Sequence, residues 1–344
     1  MKKIFTRERN LLIISFILLL FAACKGPAAK TTTASNSTAT SDSALIAYKN
    51  SNHHLFLGFL VDDHNDPVAS TNPANSPDSV DFLDLFVGYD TTKADWRIAQ
   101  AKGTKIIRCY FPKYAYFDGS VNDPATKAPG YKNPPGFDQN NPTASSTYFH
   151  WAANTYAKDI DTNKWNGIDI DIESGTFGGE VPESNGPNFL TAVAQYYGPN
   201  CSKCSVNSGG KKPVFFYDTD GSANDDSMYT PYKSNYDYVD FQSYTTGNHY
   251  WDGSGTADFD ALVTMYGLNK LIFLVNGDSF VQANGVQVPP GVDSVVTASL
   301  YSYATWVKTN NGIGVGAYRM SRDYNHTPHF AVSRNSIQIM NPAK

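Results

Sequence analysis

From Gly167 to Glu173 the chain reads Gly-Ile-Asp-Ile-Asp-Ile-Glu, three carboxylates alternating with three isoleucines, and few folds can house such a run. As a β-strand it sends successive side chains to opposite faces, so Asp169, Asp171 and Glu173 share one face while Ile168, Ile170 and Ile172 share the other. A charged face is ordinarily a solvated one, as in a sandwich or an open sheet. A β-branched apolar reverse face suits better a parallel barrel strand that helices cover from outside, with the carboxylates pointing into the barrel. Like charges that close raise one another's pKa values, so at least one of the three holds a proton near neutral pH, the state a general acid requires. Spacing alone leaves three uses open: catalysis, a calcium site built from carboxylate oxygens, or a plain solvated face.

Short apolar runs recur at 55–61, 82–88, 105–111, 167–173, 213–218, 238–244, 270–275 and 313–318, with helix-compatible stretches at about 91–102, 147–162, 188–198, 257–267 and 297–309. Strands alternating with helices imply parallel βα units. Eight such strands predict an α/β fold, a (β/α)8 TIM barrel, and the count by itself also allows a doubly wound sheet. A barrel of about 250 to 300 residues fits within the 344 available once the ends are trimmed. Barrel enzymes carry their working groups at the C-terminal ends of strands, and Glu173 stands there, just before the Gly-rich segment Ser174 to Gly179. The Pro-, Gly- and aromatic-rich stretch 112–146 follows the third strand and is read either as a wall of the substrate cleft or as a surface excursion. Cys109, in an apolar run, is expected in the core.

The N-terminus reads as a targeting segment. Lys2, Lys3, Arg7 and Arg9 precede the apolar stretch Leu11 to Ala23, which is too short to span a bilayer comfortably. Leu20-Phe21-Ala22-Ala23-Cys24 resembles a bacterial lipoprotein processing site, with Phe21 departing from the usual leucine. That resemblance implies a signal peptide over 1–23, acylation of Cys24, and export with lipid anchoring to the cell envelope, at the outer membrane or cell surface. Residues 24–45, rich in Ser, Thr and Ala, are expected to form a flexible tether, leaving 46–344 as a single domain. The formal net charge of −5 supplies no basic footprint for nucleic acid. Membrane contact is expected only through the anchor, and the protein is expected to be a monomer. Outside the cytoplasm Cys201 and Cys204 fit a structural disulfide or two idle thiols better than a redox centre.

Asn166-x-x-Asp169-x-Asp171-x-Glu173 resembles the D-x-x-D-x-D-x-E signature of glycoside hydrolase family 18, the chitinases and endo-β-N-acetylglucosaminidases, departing only at Asn166, where local capping rather than chemistry is put in doubt. The resemblance implies the barrel rather than the open sheet. It also implies a retaining hydrolysis in which the substrate's own 2-acetamido oxygen attacks the anomeric carbon. By motif position Glu173 would be the general acid and base, Asp171 would orient the acetamido group, and Asp169 would share a proton with Asp171. Gln242 and Tyr244, on one face of the sixth strand, resemble the family's Q-x-Y segment, whose tyrosine donates to the acetamido carbonyl. Where many chitinases carry a tryptophan floor this chain has Tyr318, which is easier to square with an endo-β-N-acetylglucosaminidase acting on N-linked glycans than with a chitinase. Trp251 is expected to stack on glycan, whereas Trp151 and Trp306, inside helical patterns, are expected in the core. Arg319 or Asp323 reads as part of a surface pair, and His249, His326 and His329, which lack metal-ligand spacing, as surface or cleft residues. No cofactor and no metal are expected, and the partner is a glycan or glycoprotein substrate. Two other readings remain: a chitinase acting on chitooligosaccharides, and a surface glycan-binding protein without turnover.

Overall fold

The computed structural model describes residues 37–62, 66–86, 89, 96–112, 145–173, 186–206, 210–221, 226–244, 256–280 and 292–343. Eight strands, β1 Leu55–Leu60, β2 Phe82–Leu85, β3 Lys105–Tyr110, β4 Gly167–Ile172, β5 Val214–Thr219, β6 Tyr238–Gln242, β7 Leu271–Asn276 and β8 Gly314–Tyr318, follow one another around a closed barrel. Every neighbouring pair is parallel, and β1 pairs with both β2 and β8, so no edge is left open. All eight apolar runs are strands, and the open-sheet alternative is excluded by the closure. The described helices are α1 Ser37–Lys49, α2 Val68–Thr71, α3 Trp96–Ala101, α4 Ser145–Tyr156, α5 Gly186–Val193, α6 Thr256–Tyr266, α7 Val292–Asn310 and α8 Ala331–Met340.

The alternation in β4 has the two faces its sequence requires. Ile168, Ile170 and Ile172 lie in the large apolar layer between strands and helices, together with Trp151 and Phe189, whose rings are 5.1 Å apart. On β7 the outward Phe273 is gripped by helices on both flanks: Phe259 of α6 stacks on it at 5.2 Å, and Tyr303 and Trp306 of α7 lie at 5.7 and 5.5 Å. Residues 303 and 306 meet the same partner because positions three apart share a helix face. Trp151 is fully buried, and Trp306 packs partly buried against this layer.

Inside the barrel a smaller apolar cluster, Leu55, Leu57, Phe59, Phe82, Ile107, Phe216, Ile272 and Leu274, fills the lower part. It closes because β8 contributes glycines on its inward positions. A Cβ on Gly316 would lie 2.4 Å from the Leu57 carbonyl oxygen and 2.7 Å from Leu274 Cδ2, so the close approach of β1, β7 and β8 requires that residue.

Helix α1 begins inside the stretch expected to be tether. Its C-terminal turn is held by tertiary contacts: buried Lys49 donates to the Val80 carbonyl at 2.6 Å and to the Thr104 hydroxyl, and the Tyr48 ring lies 4.3 Å from His53. Those contacts recruit Ser- and Thr-rich residues that composition alone assigns to a linker. The signal segment 1–23, Cys24 and the rest of the expected tether to residue 36 lie outside the described residues, as does nearly all of 112–146. Among the described residues no helix is long and apolar enough to cross a membrane. Cys201 and Cys204 form a disulfide across the turn after α5.

Candidate active site

Above the apolar plug the barrel interior turns acidic. Inward positions carry Asp84 on β2, Cys109 on β3, Asp169 and Asp171 on β4, Asp218 on β5 and Asp240 on β6, all buried. Strand register sets them side by side: Cys109 is level with Asp169, and Asp171, Asp218 and Asp240 are level with one another across β4, β5 and β6. Cys109 is therefore core, but on the barrel's inside rather than under its helices. One ligand atom each from Asp84, Cys109 and Asp169 lies within 4.8 Å of the others, and the same holds for Asp169, Asp218 and Asp240.

These carboxyls cannot all be ionised. Among the described residues neither oxygen of Asp169 meets an ordinary hydrogen-bond donor. Two facing carboxyls can bond only by sharing a proton, so a bond between Asp84 and Asp169 requires one of them neutral. Burial lifts the Asp84 carboxyl to about 7, with that shared bond and the Arg108 charge pulling the other way. Burial, then the neighbouring Asp240 and Asp84 charges, holds Asp169 well above the usual carboxylate range. Asp171 is raised well above it by burial first, then by Asp218 and Glu173. Asp218 is raised by burial, Asp240 and Glu173, against a hydrogen bond from Gln242.

At the mouth, Gln242 Nε2 donates to Glu173 Oε1 at 2.6 Å and to Asp171 Oδ1 at 3.3 Å. Asp171 and Glu173 are also hydrogen-bonded to each other. The predicted residues Asp171, Glu173 and Gln242 thus form one bonded group, while Asp169 lies a layer deeper. Tyr244 packs 5.9 Å from Tyr318, and Tyr318 is the hub of an aromatic rim, 6.1 Å from Phe59 and 5.3 Å from Phe86. Trp251 and the Gly-rich segment 174–179 lie outside the described residues.

Asn166 retains the capping role that its departure from the motif put in question. Its Oδ1 accepts from the Ile106 backbone N–H and from Gln100 Nε2, both at 2.8 Å, holding β3 to the start of β4. An amide oxygen does this as well as a carboxylate.

Arg319 and Asp323 are not a surface pair. Both are buried, and they serve different contacts. Arg319, with a left-handed backbone at φ 49°, reaches Asp278 at 2.7 Å and Asp66 at 3.2 Å, and Arg322 reaches the same two carboxylates at 2.8 and 3.2 Å. This four-charge clamp joins the segments after β1 and β7 to the one after β8, directly behind Tyr318. Asp323 accepts from the backbone N–H groups of Val332 and Ser333 at 3.1 and 2.7 Å, capping the first turn of α8, and from His326 at 2.8 Å. A polar residue in a turn-rich stretch reads as exposed; here the barrel's closure buries it. His329 stacks on Tyr324 at 3.8 Å.

Sequence reasoning missed Asp84, Asp218 and Asp240. Each is a lone acid in an apolar strand, and asking which face it shares would have exposed it: Asp218 is in phase with inward Phe216, and Asp240 with Gln242.

A barrel with a carboxylate cluster, an amide clasp and an aromatic rim can protonate a leaving group in a site that also stacks sugar rings. Comparison with known proteins agrees. Residues 64–316 match the family model described as the endo-beta-N-acetylglucosaminidase EndoS TIM-barrel domain. The chain belongs to that family. Endo-beta-N-acetylglucosaminidase F2 of Elizabethkingia meningoseptica is 28% identical to it over 327 residues, covering 87% of this chain and 85% of the relative. Among solved structures, the apo endo-beta-N-acetylglucosaminidase of Cordyceps militaris superposes with a TM-score of 0.63 at 17% identity, covering 90% of this chain and 98% of the other. The catalytic domain of a family GH18 chitinase from the fern Peteris ryukyuensis gives 0.51 at 12%, covering 83% and 98%; these two likenesses show the shared fold. The protein is an endo-β-N-acetylglucosaminidase-like glycoside hydrolase.

Proposed function

We propose that this enzyme cleaves the β1,4 bond between the two core GlcNAc units of N-linked glycans by a retaining, substrate-assisted route. The observation that carries the reading is the clasp at the barrel mouth, where one amide of Gln242 donates to both Glu173 and Asp171. Glu173 protonates the glycosidic oxygen as the bond to C1 breaks, and the 2-acetamido oxygen of the same sugar forms the new bond to C1. Asp171 accepts from the acetamido N–H and offsets the positive charge of the bicyclic intermediate. Tyr244 donates to the acetamido carbonyl, and Tyr318 and Trp251 contact the sugars. Glu173 then takes a proton from water, which opens the intermediate with net retention.

The test is mass spectrometry of the purified protein incubated with an N-glycosylated protein and, separately, with chitooligosaccharides. A polypeptide product retaining one GlcNAc is expected. Shortened chitooligosaccharides alone would assign the enzyme to chitin, and no product from either would leave a glycan binder. Glu173→Gln is expected to abolish turnover while glycan binding persists, and substantial residual hydrolysis would remove Glu173 from the acid role.

Export with a lipid anchor on Cys24 belongs to the same reading, supported by the basic residues 2–9, the apolar stretch and the Leu20 to Cys24 sequence. Expressed in a bacterial host, the chain should take up radiolabelled palmitate, and Cys24→Ser should not.

A further inference from the structure

The two ends of the barrel carry opposite charge. All eight strands run parallel, so every segment that leads into a strand lies at one end, the base, and every segment that leaves one lies at the mouth, roughly 20 Å of strand away. Among the described residues the base exposes Lys164 before β4, Lys203, Lys211 and Lys212 before β5, Lys233 before β6 and Lys308 at the end of α7. Its exposed acids are Asp78, which pairs with Lys102 at 2.8 Å, and Asp161. Asp81 is buried against His53, and Asp237 accepts from the Phe215 backbone N–H. The mouth is the reverse. The described segments there carry Asp62, Glu173 and Asp220, and Arg319 and Arg322 are held in the clamp with Asp66 and Asp278. A chain of net charge −5 thus gathers lysines on the end opposite its active site.

The basal ammoniums are oriented by neutral oxygens, which do not cancel their charge. Lys212 Nζ donates to the Pro199 and Cys201 carbonyls at 2.8 and 3.3 Å, Lys233 Nζ to the Met265 carbonyl at 2.6 Å, and Lys211 Nζ to the Asn50 amide oxygen at 2.5 Å. Two large apolar side chains are exposed on the same end, Ile46 at 38% and Val206 at 55%. Ile46 is on α1, whose last turn Lys49 pins to Val80 and Thr104, and Val206 precedes β5. Chain continuity says what covers this end. The segment bearing Cys24 enters the fold through α1, and residues 24–36 reach at most roughly 45 Å when fully extended. A lipid on Cys24 therefore holds a bilayer within that distance of the start of α1.

We propose that the basal lysine face docks on the phosphate headgroups of the anionic membrane that carries the anchor, so that the barrel stands base-down with its mouth turned outward to a bulky glycoprotein. The identity of that surface rests on the Cys24 reading above. Docking adds a second membrane contact to the anchor. Each lysine near an anionic surface adds attraction that decays within a Debye length, about 8 Å at physiological salt. The tether keeps the base near the bilayer, and the charged face sets which way the barrel points.

The experiment is co-sedimentation of the full chain carrying Cys24→Ser, which cannot be acylated, with vesicles of phosphatidylcholine alone and of phosphatidylcholine mixed with phosphatidylglycerol. Two further chains add Lys211→Gln with Lys212→Gln at the base, or Arg97→Gln with Arg334→Gln on the exposed faces of α3 and α8. The basic residues 2–9 are common to all three chains and drop out of the comparison. Preference for anionic over neutral vesicles should fall by about fivefold or more in the basal pair and by less than about twofold in the helix pair, which removes the same charge. Added salt should shrink the preference, and turnover of a soluble glycopeptide should be equal in all three. A parent chain without preference overturns the proposal, as does an equal loss in both pairs. Should the basal pair fail to fold in a thermal scan, Lys164→Gln with Lys308→Gln takes its place under the same outcomes. Palmitate uptake is read separately on the chain with Cys24 intact. Failure there with the vesicle preference retained counts against the anchor, whereas labelling without the preference overturns the docking face.

Discussion

Asp84→Asn tests the acidic interior through folding rather than through catalysis. Burial lifts the Asp84 carboxyl from 3.8 to about 7 in the folded protein. In the unfolded chain it ionises near the ordinary value of about 3.9. Between these values the folded state holds a proton that the unfolded state has released, so this contribution to stability is full below pH 4 and is lost as pH rises through 7. At about 1.36 kcal/mol for each pH unit of separation, the loss comes to about 4 kcal/mol between pH 4 and pH 7.5. Asparagine keeps the volume and does not ionise. Urea unfolding followed by tryptophan fluorescence, repeated from about pH 4 to about pH 8, gives stability at each pH by linear extrapolation. The native protein should lose stability across this range, and Asp84→Asn should lose about 4 kcal/mol less. Curves for the two proteins that stay parallel within about 0.5 kcal/mol would refute the claim that Asp84 is buried with its proton.

Gly316→Ala should destabilise the barrel by about 1–3 kcal/mol in the same urea assay, because its Cβ meets the Leu57 carbonyl and Leu274 at distances that require backbone movement. Replacing both Cys201 and Cys204 by alanine should cost no more than about 2 kcal/mol, because a bridge between residues three apart removes little chain entropy; a larger loss of urea stability would give that turn a role in holding β5.

How much of this was legible follows from the range over which each signal acts. The strands were legible because period-two alternation and apolar runs are properties of six or so consecutive residues, and each of the eight runs folds as the strand it suggests. Helix α4 continues through a π-turn over Ala157–Thr162, within the stretch 147–162 that the sequence marks as helical. The start of α1 was not legible, because Lys49 reaches Val80 and Thr104, contacts that Ser- and Thr-rich composition cannot announce. Arg319 read as a surface residue since its partners, Asp66 and Asp278, are supplied by the ends of two other strands.

The candidate site divides the same way. Asp169, Asp171 and Glu173 stand out because one short strand carries all three, and Gln242 with Tyr244 because a second strand carries both. Asp84, Asp218 and Asp240 carry no local pattern, and they become one cluster only when β2, β4, β5 and β6 close around a common interior. By itself the sequence determined which residues are strands, which face of β4 is charged and which family the chain resembles. Tertiary structure alone decided which carboxylates face one another, because register across neighbouring strands, about 4.8 Å apart, joins residues that lie tens of positions apart in the chain.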